Sequence, residues 1–207
     1  MLESKEKVII VGYSGHSYVI IDTLIELGYN IFGYVEKNEL TNNPYNLRFL
    51  GNEKDLNFKL FVNGYSYVVA IGDNKTRSSV SNFLRLKFCK ILNVINPSSS
   101  ISNNIRIGSG VFIARNVSVS PFCEIGDDVV INNSAVVDHE CIIESGSHIA
   151  PGSILLGNVK VGRNTLVGAN SVIKEGVEIG SNVIIGAGSV VLNDVKDNKV
   201  VYGSPAK

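Results

Sequence analysis

From Ile101 to Val191 an aliphatic residue returns at every sixth position without a miss: Ile101, Ile107, Ile113, Val119, Ile125, Ile131, Val137, Ile143, Ile149, Leu155, Val161, Val167, Ile173, Ile179, Ile185 and Val191. A second register four places later holds Val or something small, Cys123, Ala135, Cys141, Ser147, Ser153 and Ser171 among them. A helix needs a beat near 3.6 and an alternating strand a beat of two, so neither template accounts for six. Hexapeptide repeats predict a parallel β-helix, a triangular coil of roughly 18 residues per turn whose leading aliphatics point inward while the small residues let the chain turn each corner. One buried aliphatic, of about 1.5–3 kcal/mol, does not by itself hold six ordered residues. The ladder and subunit association must contribute, so an oligomer is expected.

The first half has a different rhythm. Residues 7–11 (KVIIV) are expected as a buried strand, and Gly12-Tyr13-Ser14-Gly15-His16-Ser17 as a turn into an amphipathic helix from Tyr18 to Leu27, ended by Gly28. A second strand from Ile31 to Val35 finishes at Glu36-Lys37, a third from Ser66 to Ile71 at Gly72-Asp73-Asn74, a helix runs from Lys75 to Phe88, and Ile91 to Ile95 closes the sheet. Loops at the carboxyl ends of parallel strands gather into one crevice, and a glycine turn opening a helix favours phosphate. Ser14, Gly15, His16, Glu36, Lys37 and Gly72 are therefore candidate ligand-binding residues. The turn departs from the dinucleotide fingerprint, since Ser14 stands where the second glycine belongs and no third follows, which argues against NAD. The glycines equally suit a tight strand-to-helix turn. The fold class is thus an α/β Rossmann-like domain, residues 1–96, followed by a β-helix domain, residues 97–207, with Asn96-Pro97 as the junction and an extended loop-like tail beyond about Val195.

Charge excludes some partners. Lys plus Arg and Asp plus Glu are 19 each with no basic run, so nucleic acid is not expected. The opening MLESKEKVII has no apolar leader and no stretch suits a membrane span, so the reading is cytoplasmic with no membrane partner. Three cysteines in no ligand spacing and few, scattered histidines predict no metal; Cys123 and Cys141 should stack inside adjacent coils, reduced and inert. His139 falls two places after Val137, on a corner, and should project outward between Asp138 and Glu140. A carboxylate can then hold one ring nitrogen while the other meets substrate, the geometry of a general base. Gly157 stacks over His139, leaving room and a backbone N–H able to stabilise an oxyanion. His148 should also face outward, where simple solvation is the competing explanation.

The opening VGYSGHSYVIID, the run INNSAVVDHECI, the SHIAPG segment, the repeats and the ending DVKDNKVVYGSPAK together resemble the bacterial sugar acetyltransferases that join a nucleotide-binding amino-terminal domain to a left-handed β-helix of hexapeptide repeats. That family includes N-acetyltransferases of nucleotide-linked 4-amino-4,6-dideoxysugars and sialic acid O-acetyltransferases. The resemblance implies that His139 is the catalytic base, that Glu140 raises its basicity, and that Asn132 helps place the acceptor. It implies acetyl-CoA as co-substrate, with His148 near the acetyl group and backbone at Gly157, Ala169 and Ala187 lining its groove. A nucleotide sugar held at Ser14 to His16 and Glu36-Lys37, and a homotrimer with sites between neighbouring prisms, follow by the same likeness, as does the left hand of the coil. Transfer to the amine of a nucleotide-linked aminosugar for a surface glycan is the expectation; O-acetylation of sialic acid and a non-catalytic scaffold are the rivals.

Overall fold

The computed structural model describes residues 6–52 and 64–207, so residues 1–5, on which the expected lack of a leader partly rests, lie outside it. Contacts divide the chain into two units, Met1–Val94 and Ile95–Lys207.

In the first unit the apolar run after Lys7 forms β1 (Lys7–Val11), flanked by β2 (Asn30–Val35) and β3 (Tyr65–Val69), with β4 (Lys90–Ile91) beyond, in the order β2-β1-β3-β4. All three pairings are parallel, and Val8 to Val11 are buried, as a strand covered on both faces requires. The helix expected from Tyr18 begins earlier, as α1 (Gly15–Glu26). The cause is local: Ser14 is extended at the N-cap, and Ser17 Oγ accepts its N–H at 2.9 Å, winding the first turn ahead of the apolar run. Gly28 ends it at φ +71°, its N–H reaching Ile25 O and that of Tyr29 reaching Leu24 O. Likewise α2 (Asn74–Leu86) starts one residue early, because Asp73 Oδ1 accepts the Thr76 N–H at 2.8 Å.

The segment expected as one closing strand, Ile91 to Ile95, is two. Leu92 N–H continues β4 by bonding Tyr67 O, whereas Val94–Ile95 belongs to the repeat sheet. Ile95 stands six before Ile101, so the hexapeptide beat starts one block earlier than the unbroken aliphatic run suggested.

The second unit is a parallel β-helix of two-residue strands in sheets of five, six and seven. Rungs pair at a spacing of 18, as in Val130 with Phe112 below and His148 above. The leading aliphatics form one continuous interior. Second-register side chains also point in, and several with a donor bond a carbonyl of the next coil: Ser147 to Gly162 O at 2.7 Å, Ser153 to Gly168 O at 2.8 Å, Ser171 to Gly186 O at 2.9 Å. The tail is not the extended loop expected. Val200–Val201 adds a rung on Ile184–Ile185, and Val195 bridges Ile179 at a spacing of 16 in place of 18, two residues being missing from the last coil.

The outward residues differ by face. The face that begins with Arg106 carries Arg106, Glu124, Ile142, Lys160 and Glu178, with Arg106 paired to Glu124 and Lys160 to Glu178. The face bearing Val136 shows Val136, Ile154, Val172 and Val190, with Ser100 and Ser118 earlier in the same sheet, and the third shows His148, Leu166 and Ile184, its Phe112 and Val130 being buried. Two sides of the prism are therefore mostly apolar in their upper coils and one is mostly charged.

Candidate active site

At the carboxyl ends of β1, β2 and β3 a cleft of about 760 Å³ opens, and Ser14, His16, Glu36, Lys37 and Gly72 all line it. The crevice predicted from strand ends is thus present. Gly15 does not line it but opens α1 at its edge, and a Cβ there would meet nothing within 4 Å, so the protein itself does not require that glycine. Gly12 is different: at φ +88° its absent Cβ would strike Ile71, so it is needed for the turn. Glu36 is anchored by its own backbone surroundings, one carboxylate oxygen accepting from Tyr13 N at 3.2 Å and the other from Lys37 N at 2.9 Å.

Arg77, absent from the sequence reading, organises the floor. Read on a helix it looks like a solvated cation, yet it is 1 % exposed, donating to Ile71 O, Gly72 O and Asn74 Oδ1 at 3.1, 3.0 and 2.9 Å. It pins the loop between β3 and α2 and puts a positive charge under the cleft. Burial, with that charge second, pushes His16 down to about 4, so its ring is neutral at pH 7. Hydrogen bonds from Thr76 hold the Asp73 carboxyl below its ordinary value. An anion would accordingly be received by the start of α1 and by Lys37 rather than by a histidine cation. Tyr13, Thr76 and Asn52 also line the cleft and were not singled out from sequence; Tyr13 stacks on Tyr34 at 4.3 Å and its hydroxyl donates to Asn43, ends that lie far apart along the chain.

In the β-helix, His139 and Glu140 form a corner between the Val136–Val137 and Ile142–Ile143 strands, with Glu140 at φ +60°. The imidazole projects outward, half exposed, and Nδ1 lies 3.0 Å from a Glu140 carboxylate oxygen. That hydrogen bond first, then the Asp138 charge, raises the His139 pKa above its usual value. Gly157 sits against the ring: an added Cβ would come 2.5 Å from Cε1 and 2.7 Å from Nε2. Three backbone groups of the corner are tied down. His139 N–H donates to Asp138 Oδ1 at 2.8 Å, Glu140 N–H to Pro121 O at 3.0 Å, and His139 O accepts from Asn158 at 2.8 Å.

Asn132 and His148 form a second pair, Nδ2 and Nε2 being 3.2 Å apart. Asn132 directly follows the Val130–Ile131 strand and His148 opens the His148–Ile149 strand, both of a different sheet from the strands that flank His139. Ala169 and Ala187 are corner residues following Val167 and Ile185 of that same sheet, whereas Gly157 belongs to the His139 corner. One chain therefore brings together His139, Glu140 and Gly157, and separately Asn132 and His148. Among the described residues no cluster of His, Cys, Asp or Glu is disposed to hold a metal ion, and no helix is long and apolar enough to cross a membrane.

The PglD N-terminal domain model matches residues 7–84, and the bacterial transferase hexapeptide model matches residues 122–157 and 158–193. A histidine mutant of the GDP-perosamine N-acetyltransferase of Caulobacter crescentus, solved with CoA and GDP-perosamine, superposes with a TM-score of 0.92 at 34% identity, over 97% of this chain and 95% of that one. The acetyltransferase domain of PglB from Neisseria gonorrhoeae FA1090, solved with acetyl coenzyme A, gives a TM-score of 0.92 at 27% identity over 98% of each chain. The GDP-perosamine N-acetyltransferase of Escherichia coli O157:H7 is 34% identical over 107 residues, 52% of this chain, and the match spans about half (48%) of that relative's length.

Proposed function

The chain belongs to the bacterial hexapeptide-repeat sugar acetyltransferases with a PglD-type N-terminal domain, and on that footing we propose that it moves acetyl from acetyl-CoA to the amine of a nucleotide-linked 4-amino-4,6-dideoxysugar destined for a surface glycan. The observation that carries the reading is the His139 corner: an outward imidazole, Nδ1 held by Glu140, with Gly157 pressed against the ring. With Nδ1–H donated to the carboxylate, the lone pair of Nε2 is left for a proton. As the sugar amine attacks the thioester carbonyl, His139 Nε2 takes its proton, the carbonyl becomes tetrahedral, and CoA leaves as the thiolate. Glu140 holds the tautomer and stabilises the imidazolium that forms. The Gly157 N–H meets no acceptor among the described residues, so it is open to the oxygen that gains charge. The N-terminal cleft holds the nucleotide: phosphates at the start of α1 and Lys37, with Glu36 available to a ribose hydroxyl.

His139 and the Asn132–His148 pair occupy different sheets, so we assign one site to two copies. The two mostly apolar faces of the prism support a homotrimer in which the Val136 face of one copy covers the His148 face of the next, excluding water where His148 and the backbone at Ala169 and Ala187 receive acetyl-CoA.

The test is thermal shift and acetyl transfer with GDP-perosamine and with UDP- and dTDP-linked aminosugars, beside free sialic acid. Transfer to one nucleotide-linked amine, lost by roughly 10² to 10⁴ in His139→Ala, is expected. Stabilisation by sialic acid alone would move the reading to O-acetylation, and failure to bind acetyl-CoA would reduce the protein to a scaffold.

A further inference from the structure

The buried thiols fill a place in the coil that the mechanism above leaves unexplained. Cys123 and Cys141 are free and buried in the second register. Cys123 Sγ donates to Asp138 O at 3.0 Å and Cys141 Sγ to Leu156 O at 3.2 Å. Those carbonyls belong to the peptide units whose N–H groups are those of His139 and of Gly157. At several other corners the equivalent carbonyl accepts from the N–H three residues on, as Asn132 O does from Ala135 at 3.1 Å and Lys174 O from Val177 at 3.3 Å. At Asp138 and Leu156 that bond is not made, and among the described residues the thiol is the carbonyl's partner.

A trans peptide points its C=O and N–H in opposite directions. A donor inside the coil that draws Leu156 O inward therefore aims the Gly157 N–H outward, beside the imidazole, and polarises it as a donor. Two other corners pair an inward-held carbonyl with an outward N–H, although an outward N–H also occurs without an inside side-chain donor, Asn133 N–H bonding Asn132 Oδ1 at 2.8 Å where Asn132 O meets the Ala135 N–H. Thr165 Oγ1 holds Gly180 O at 2.7 Å, and the next N–H, of Ser181, reaches out to Asp197 Oδ1 at 2.8 Å. Cys123 holds Asp138 O, and His139 N–H reaches Asp138 Oδ1. At Gly157 no side chain among the described residues takes the N–H.

We infer that Cys141 is a positioning residue for acetyl transfer, its thiol orienting the Leu156–Gly157 peptide so that the Gly157 N–H faces the thioester oxygen, and that Cys123 does the same for the peptide carrying His139. The inference rests on the acetyltransferase reading and deepens it. The repeat supplies its own control. Val159 and Val177 occupy the register of Cys141 in the coils above, and fifteen residues after Val159 the Lys174 carbonyl turns to the N–H of Val177 instead. A valine at 141 should fold and let Leu156 O swing to the Val159 N–H, tilting the Gly157 N–H away.

Cys141→Val, Cys141→Ala and Cys141→Ser separate the roles. Valine keeps bulk without a donor, alanine lacks both, and serine restores the donor that Ser147, Ser153 and Ser171 already use elsewhere. In steady-state transfer from acetyl-CoA to the aminosugar accepted from the panel above, valine and alanine should lower kcat about 5- to 20-fold, less than the 10² or more of losing such a donor outright. KM for both substrates should hold, and serine should return kcat to within about twofold of the parent. Parental kcat in both donorless variants, or serine as impaired as valine, overturns the inference while leaving the acetyltransferase reading intact. A parent protein that transfers acetyl to none of the panel overturns both.

Discussion

Gly157→Ala isolates what the space beside His139 does. The backbone there is not left-handed, so alanine adds no backbone strain. Its Cβ would lie 2.5 Å from Cε1, 2.7 Å from Nε2 and 3.2 Å from Nδ1 of the imidazole, where carbon contacts settle at about 3.5 Å. The ring must retreat by about 1 Å. It is half exposed and free to swing, so the fold yields easily, but the swing pulls Nδ1 from its 3.0 Å contact with Glu140 and moves Nε2 off the substrate amine. A displacement of that size costs on the order of 10²-fold in turnover, about 2.7 kcal/mol in the barrier. Stability should move the other way, since glycine to alanine at a compatible position removes unfolded-state freedom worth about 0.4–1 kcal/mol, roughly 1 to 4 °C in Tm. Thiol release from acetyl-CoA and a melting curve on the same preparation give both numbers. A variant that keeps more than about a third of parental kcat would show that the imidazole beside Gly157 is not the base.

Two other perturbations read different parts of the design. The His139 pKa is raised, chiefly by the Glu140 hydrogen bond, and the base works only when deprotonated; kcat/KM should therefore climb with pH through that raised value and level off above it. Glu140→Gln removes the largest raising influence, so the climb should shift to lower pH and reach a lower plateau, whereas an unshifted profile would separate Glu140 from the base. Ile154→Glu places a carboxylate in the apolar column with Val136 and Val172, where an unpaired charge cannot be covered without a penalty of several kcal/mol. If the parent sediments as the proposed trimer, the variant should run as smaller species with activity lost; a variant that sediments as the parent does would mean that this face is not the interface.

The solenoid was readable because its beat is enforced residue by residue: a polar side chain at any leading position would sit in the interior, so the pattern leaves no latitude. His139 followed from the same arithmetic, since corner positions are fixed once the inward ones are. A rule of topology predicts that Ser14, His16, Glu36, Lys37 and Gly72 gather at the strand ends, and all five line one cleft. Arg77 was hidden because the sequence shows a charge on a helix and not the carbonyls that curl back over it. The start of α1 was missed for a similar reason, Ser17 acting as a local cap that no apolar periodicity reports. The thiols of Cys123 and Cys141 were placed inside, but their partners fifteen residues on become visible only when the coils are stacked.

The shortened last coil bears on how the ladder stops. A ladder of identical rungs offers unpaired N–H and C=O groups at its open end, and a copy in register could extend it without limit. Here the final turn drops two residues, and the chain then doubles back so that Gly203 bridges Ala206 in the antiparallel sense and Ala206 N–H binds Val190 O. The last rungs are thus followed by a turn out of step with the coil, which does not offer the register that a further copy would need to continue the ladder.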